Sequence, residues 1–165
     1  MVFIGLGSVG APVALALVQA GVGRVTLIDP DRFSIQNVSR HPGDLRDLGR
    51  EKTVLMAERI QARNPGVRVD RPTLDVCDPA AAPALQEAIG EADLWLVSTD
   101  DPAANLAANR LAVSWGRPAL FVGVFEGGTG GEIFLRSPDR PGCYGCLAAF
   151  RARLPRLPRA DRAHD

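Results

Sequence analysis

The residues best suited to chemistry begin at the start of the chain. Val2-Phe3-Ile4-Gly5-Leu6-Gly7-Ser8-Val9-Gly10 is an apolar run that opens into a glycine loop, and Asp29 follows nineteen residues after its last glycine. In a βαβ unit the first glycine of such a loop permits a tight turn, the second lets backbone approach phosphate, and the third lets the helix pack on the strand. An acid at the end of the second strand accepts hydrogen bonds from a ribose. Gly5, Gly7, Gly10 and Asp29 therefore predict a nucleotide site.

Nucleotide binding alone does not separate redox from phosphate chemistry, so the residues that follow decide. Asp31, Asn37, Arg40 and Lys52 come next in order. Nicotinamide transfer requires no such cluster beside the phosphates. Attack on an α-phosphate does, because charge spreads onto the phosphoryl oxygens and the departing pyrophosphate. A second acidic site follows the apolar run Leu94-Trp95-Leu96-Val97, where Ser98 and Thr99 lead to Asp100 and Asp101. Ligands of open α/β sheets bind outside the carboxyl ends of the strands, so both acids are expected to face the glycine loop's crevice. A carboxylate there suits magnesium, and Asp100 is the expected ligand. Asp101-Pro102 also reads as the cap and first residue of a helix. Cys143 and Cys146 form a CxxC, which is half of a tetrahedral zinc site, and the chain holds no second pair. Redox chemistry is the alternative for that pair, while Cys77 reads as a small buried apolar residue.

Several elements must position these groups. Apolar, β-branched runs predict strands at 2–4, 25–28, 67–74, 94–97, 119–124 and 132–136. Between them, residues 11–20, 48–64, 79–90 and 103–115 read as helices, the third started by the cap Asp78-Pro79. The stretch 29–47 is rich in charge and reads as irregular and outside the core. Such alternation predicts an α/β, Rossmann-like fold with an open, mostly parallel sheet and helices on both faces.

A chain of 165 residues with 46% hydrophobic content supports one domain. Nineteen basic and nineteen acidic residues cancel, which gives no reason to expect nucleic acid or an anionic membrane as partner. No apolar stretch reaches spanning length without glycine or charge, and three cysteines make no disulfide framework, so a cytoplasmic, thiol-reduced protein is expected. Residues 2–150 read as the catalytic domain. The remainder, 151–165, holds five arginines and two prolines and reads as a tail or the start of a linker. Both ends look cut.

The order of motifs resembles one family. GxGxxG, Ile28-Asp29-Pro30-Asp31, Asn37-Val38-Ser39-Arg40, Gly49-Arg50-Glu51-Lys52, Ser98-Thr99-Asp100 and Cys143-Tyr144-Gly145-Cys146 look like the adenylation domain of the ThiF, MoeB and ubiquitin-activating superfamily. The resemblance implies an adenylyltransferase that uses magnesium and ATP to activate the C-terminal glycine of a ubiquitin-like or sulfur-carrier protein, releasing pyrophosphate. It implies that Gly5, Gly7, Ser8 and Gly10 line the nucleotide loop and that Asp29 holds the ribose. Gln36 to Arg40 would wrap the phosphates, with Asn37 and Arg40 touching them, and Lys52 would neutralise the α-phosphate region. Arg40, Lys52 and Asp100 are then the catalytic set. A homodimer built through helices beside the nucleotide site is also implied.

Three departures from the family pattern stand out. The N-terminal segment that carries an arginine to the partner's ATP is absent, and Asp101 replaces an asparagine. A thioester-forming cysteine would lie beyond Asp165, as would the second half of a zinc site. An NAD-dependent oxidoreductase fragment is the alternative function, for which Gly5 to Asp29 is equally good evidence. A non-catalytic partner subunit of an activating enzyme is another.

Overall fold

The short apolar runs Val2–Ile4 (β1) and Trp95–Val97 (β4) show no polar alternation because each is buried on both faces, at the middle of a parallel sheet. The computed structural model describes residues 1–125 and 128–153. Around that centre lie β2 (Arg24–Ile28), β3 (Arg68–Asp70), β5 (Ala119–Val124) and β6 (Gly131–Arg136), in the order β3-β2-β1-β4-β5-β6. All neighbours pair in parallel except β6, which runs antiparallel to β5 in the register Leu120↔Leu135 and Val122↔Ile133. This is the open, mostly parallel Rossmann-like sheet expected from the sequence.

Helices cover both faces and divide the core in two. On one face α1 (Gly10–Gln19) and α2 (Lys52–Arg63) bury Ala14, Val18, Met56 and Ile60 against Phe3, Leu27 and Leu96. On the other, α3 (Ala82–Ile89) and α4 (Pro102–Ser114) set Leu85, Ile89, Ala108 and Ala112 against Val2, Trp95, Val97 and Phe121. The small residues of α4 let it lie close to the sheet.

Several local expectations are corrected. The third strand is limited to Arg68–Asp70, because only there does parallel pairing with β2 continue. Residues 45–47 form a separate 3-10 turn capped by Asp44, so the second helix begins at Lys52 rather than near 48. Asp78 caps a 3-10 turn, Pro79–Ala81, that leads into α3. The charged stretch 29–47 is not outside the core: Phe33, His41 and Asp47 are buried in it. Asp47 is satisfied there by Arg50 and Arg59 at 2.9 and 2.8 Å. A helix absent from the sequence expectation, α5 (Tyr144–Arg151), packs against α4. Arg151, assigned from sequence to the tail, is its last residue and pairs with Glu132. Gly127 and residues 154–165 lie outside the described residues.

Candidate nucleotide site

The glycine loop leaves the carboxyl end of β1 where the chain crosses to β2 on one side and β4 on the other, the position at which open sheets form their ligand crevice. Gly5 takes φ +89°, and a Cβ there would lie 2.9 Å from the Ser98 carbonyl carbon. Gly10 opens α1 with its backbone against β1 and β4: a Cβ would fall 2.1 Å from the Gly5 oxygen and 2.4 Å from Ser98 Oγ. Gly7 differs from both. Among the described residues nothing lies within 4 Å of the Cβ it lacks, so no protein contact demands glycine there. The first turn of α1 has no side-chain cap; Ala11 donates its N–H to the Gly7 carbonyl at 3.1 Å and Pro12 has none to give, so an anion in the crevice would meet the loop amides that precede them.

One cleft of about 910 Å³ gathers the predicted residues. Gly5, Gly7 and Ser8 line it together with Asp29, Asp31, Gln36, Asn37, Arg40, Lys52, Asp100 and Asp101. Gly10 lies behind the loop, at the helix–strand crossing. The cysteine pair is outside the cleft.

At the floor, Asp29 Oδ2 accepts the Leu6 N–H at 2.6 Å and Oδ1 accepts the Asp31 N–H at 2.8 Å. Burial pushes the Asp29 carboxyl above its ordinary value, and the Lys52 charge and those two N–H donors offset only part of the rise. Lys52, the first residue of α2, is itself buried. Its Nζ lies 2.7 Å from Asp31 Oδ2 and 3.8 Å from Asp29 Oδ2. Asp31 is largely exposed, so this ion pair opens towards the cleft.

Ser34 shapes the segment that follows. Asn37 Oδ1 accepts both the Ser34 N–H at 2.9 Å and its hydroxyl at 3.1 Å, which closes the turn Ile35–Asn37 and carries Arg40 to the cleft. Arg40 is exposed and forms no ion pair among the described residues. On the far wall Asp100 is exposed, and among the described residues its carboxylate has no partner. That donor chemistry fits a magnesium ligand. Asp101 caps α4, its Oδ1 accepting the Ala103 N–H at 2.8 Å.

Sequence reasoning missed three features. His41 is buried: Gly43 donates its N–H to Nδ1 at 3.0 Å, and Nε2 meets the Leu6 carbonyl at 3.0 Å. Nothing in its spacing announces this, because the partner lies thirty-five residues away. Cys77, expected to be buried, is exposed at the cleft rim, because the chain after β3 turns outward at Asp75. Partial desolvation and the charges of Asp75 and Asp101 hold its thiol above the ordinary value. Finally, α5 adds a wall to the cleft. Tyr144 stacks on Phe121 at 4.4 Å and donates its hydroxyl to Glu132 at 3.1 Å.

The cysteine pair opens α5, with Cys143 at its cap. The sulfurs are 3.6 Å apart. Burial raises the Cys143 thiol, but the Cys146 and Gly145 N–H groups and the Asn109 amide outweigh it and hold the thiol below its ordinary value. Among the described residues no group of three or more ligands completes a metal site.

A Rossmann-like domain with cations and acids gathered at the mouth of its glycine loop is a nucleotide-binding domain. The chain matches the ThiF family over residues 1–163 and belongs to that family. It is 32% identical over 127 residues to a sulfur carrier protein adenylyltransferase of Thermus thermophilus, covering 76% of this chain and 45% of that protein. The sulfur carrier protein ThiS adenylyltransferase of Escherichia coli is 30% identical over 146 residues, covering 87% of this chain and 56% of the relative. The crystal structure of E. coli MccB with ATP superposes with a TM-score of 0.74 at 26% identity, covering 93% of this chain and 48% of that one. The chain thus spans about half the length of these curated relatives.

Proposed function

We propose that this chain is an ATP-dependent adenylating domain that activates the C-terminal glycine carboxylate of a ubiquitin-like or sulfur-carrier protein. The observation that carries this reading is Lys52: a buried ammonium at the cleft floor, paired towards the open side, in the same cleft as Arg40, which forms no ion pair among the described residues. Hydride transfer leaves both cations idle. Phosphoryl chemistry uses them.

In this reading a carboxylate oxygen of the carrier attacks the α-phosphorus of ATP. The bond from that phosphorus to the bridging oxygen breaks, and pyrophosphate leaves with the electron pair. Because the nucleophile arrives ionised, no general base is required. Gly7 and the loop amides before α1 receive phosphate, and Asp29 orients the ribose through lone pairs left over from Leu6 and Asp31. Lys52 exchanges Asp31 for developing phosphoryl charge, and Arg40 and the Asn37 amide nitrogen close from the other side. Gln36 and Ser8 contribute polar contacts. Asp100 is the residue that would hold magnesium, which when bound neutralises phosphate charge. Asp101 stays with α4 and shapes that turn.

Zinc would require ligands besides Cys143 and Cys146, and no step depends on it. A homodimer fits an apolar face of β5 and β6 where, among the described residues, Val124, Ile133 and Leu135 are exposed. A cytoplasmic setting fits the free cysteines, and no described helix is long and apolar enough to cross a membrane. We take residues 2–151 as the catalytic unit, since Arg151 closes α5, with the rest as tail or linker.

Titration calorimetry against magnesium ATP and against NAD, followed by ATP–pyrophosphate exchange with candidate carriers, tests the assignment. Magnesium-dependent ATP binding is expected. Lys52→Ala and Asp100→Ala should each lower exchange by about a hundredfold, the usual loss for one positioned transition-state contact. Preference for NAD, or undiminished ATP affinity in both variants, would sink the reading.

A further inference from the structure

The Leu6 peptide is gripped from both sides. Its N–H donates to Asp29 at the end of β2, and its carbonyl faces His41, which follows Arg40 directly. Since the Gly43 N–H points at Nδ1, that nitrogen must present a lone pair, and the ring proton sits on Nε2 and is donated to Leu6. The ring leans on Phe33 with centroids 5.0 Å apart. Gly43 is also confined, because a Cβ there would lie 2.7 Å from Leu55 and 2.9 Å from Phe33. His41 therefore has little freedom to swing away from Leu6.

We infer that His41 is a positioning residue that locks the segment bearing Asn37 and Arg40 to the glycine loop. Its imidazole bridges the two backbone segments that the proposed site would close around one triphosphate, so the inference rests on the ATP reading for its effect on affinity, though not for the lock itself. With the bridge intact, Arg40 and the loop amides keep a fixed separation before ligand arrives, and that preorganisation lowers the ordering cost of binding.

The lock is also sensitive to acid. Burial lowers the His41 pKa below 6.5, the Leu6 carbonyl raises it in part, and Lys52 and Arg59 oppose a second positive charge that Asp47 favours. A proton on Nδ1 would turn the acceptor of the Gly43 N–H into a competing donor. For a histidine whose folded pKa is depressed, stabilisation is complete above 6.5 and disappears as pH falls through the lower folded value.

The test uses the whole chain and reads the lock and the ligand separately. Nitrogen-15 imidazole spectra, assigned with His164→Ala, should show His41 as the Nε2–H tautomer at pH 7.5. Amide exchange at Leu6 should quicken about tenfold in His41→Ala, with magnesium ATP affinity falling about tenfold, as for one lost positioning hydrogen bond. His41→Gln keeps one donor and one acceptor. It should recover most of both losses and remove this part of the fall in affinity below pH 6.5. An Nδ1–H tautomer in the wild type, or wild-type Leu6 exchange and ATP affinity in folded His41→Ala, would overturn the inference. A wild type with the stated tautomer and Leu6 protection but no ATP binding would remove the ATP reading and leave the lock standing.

Discussion

The two ends of the sheet are finished to different degrees. Around β1, β2 and the start of α2, side chains close on the backbone that lines the cleft: Asp29 and His41 hold Leu6, Ser98 holds Gly5, and Asp31 holds Lys52. Around β5 and β6, beyond Leu120, the described residues cover the sheet on one side only. Phe121, Phe134 and Tyr144 pack on the covered side, while Val124, Ile133 and Leu135 are 62%, 75% and 59% exposed on the other. Among the described residues the chain braces the backbone that lines the cleft and leaves an apolar sheet face exposed. Preorganised ligand contacts need rigid support, whereas a protein–protein contact needs accessible apolar area.

The largest expected effect falls on the finished half. Gly10→Ala places a methyl group against the Gly5 oxygen and Ser98 Oγ and should cost about 3 kcal/mol or more in urea unfolding. Stability within about 0.5 kcal/mol of wild type would mean that helix and strand are less tightly fixed than described. Gly7→Ala sharpens the contrast, because its φ is not positive and its Cβ would meet nothing in the chain. Unfolding should change little, while magnesium ATP affinity falls about tenfold, or about 1.4 kcal/mol, in calorimetry. An equal loss of stability and affinity would merge the two glycines into one structural role.

The smallest effect on folding is expected in the open half. Ile133→Lys with Leu135→Lys replaces exposed apolar groups on an edge strand and should leave the unfolding free energy within about 0.5 kcal/mol. Sedimentation equilibrium should show weaker self-association. A variant that associates like the wild type would move the proposed dimer contact elsewhere, to the helices beside the cleft.

Residue order alone established a good deal. Local periodicity marked six strands and four helices, because a buried parallel strand must be continuously apolar and a helix must repeat near 3.6. The third strand was overdrawn because its apolar pattern outlasts its pairing with β2. The helix α5 escaped notice because its glycine and two cysteines read as a ligand motif rather than a periodic face. The predicted ligand-facing residues meet in one cleft: Gly5, Gly7, Ser8, Asp29, Asp31, Asp100 and Asp101 lie within a few residues of a strand's carboxyl end, while Gln36, Asn37, Arg40 and Lys52 are brought there by the segment that follows β2. Only the folded chain decided that Cys77 is exposed, that Asp47 and His41 are buried, and that Ser98 reaches Gly5 ninety-three residues away. The His41 and Ser98 contacts join side chains to backbone across distant segments, and hydrogen bonds of that kind leave no periodicity for a linear reading to find.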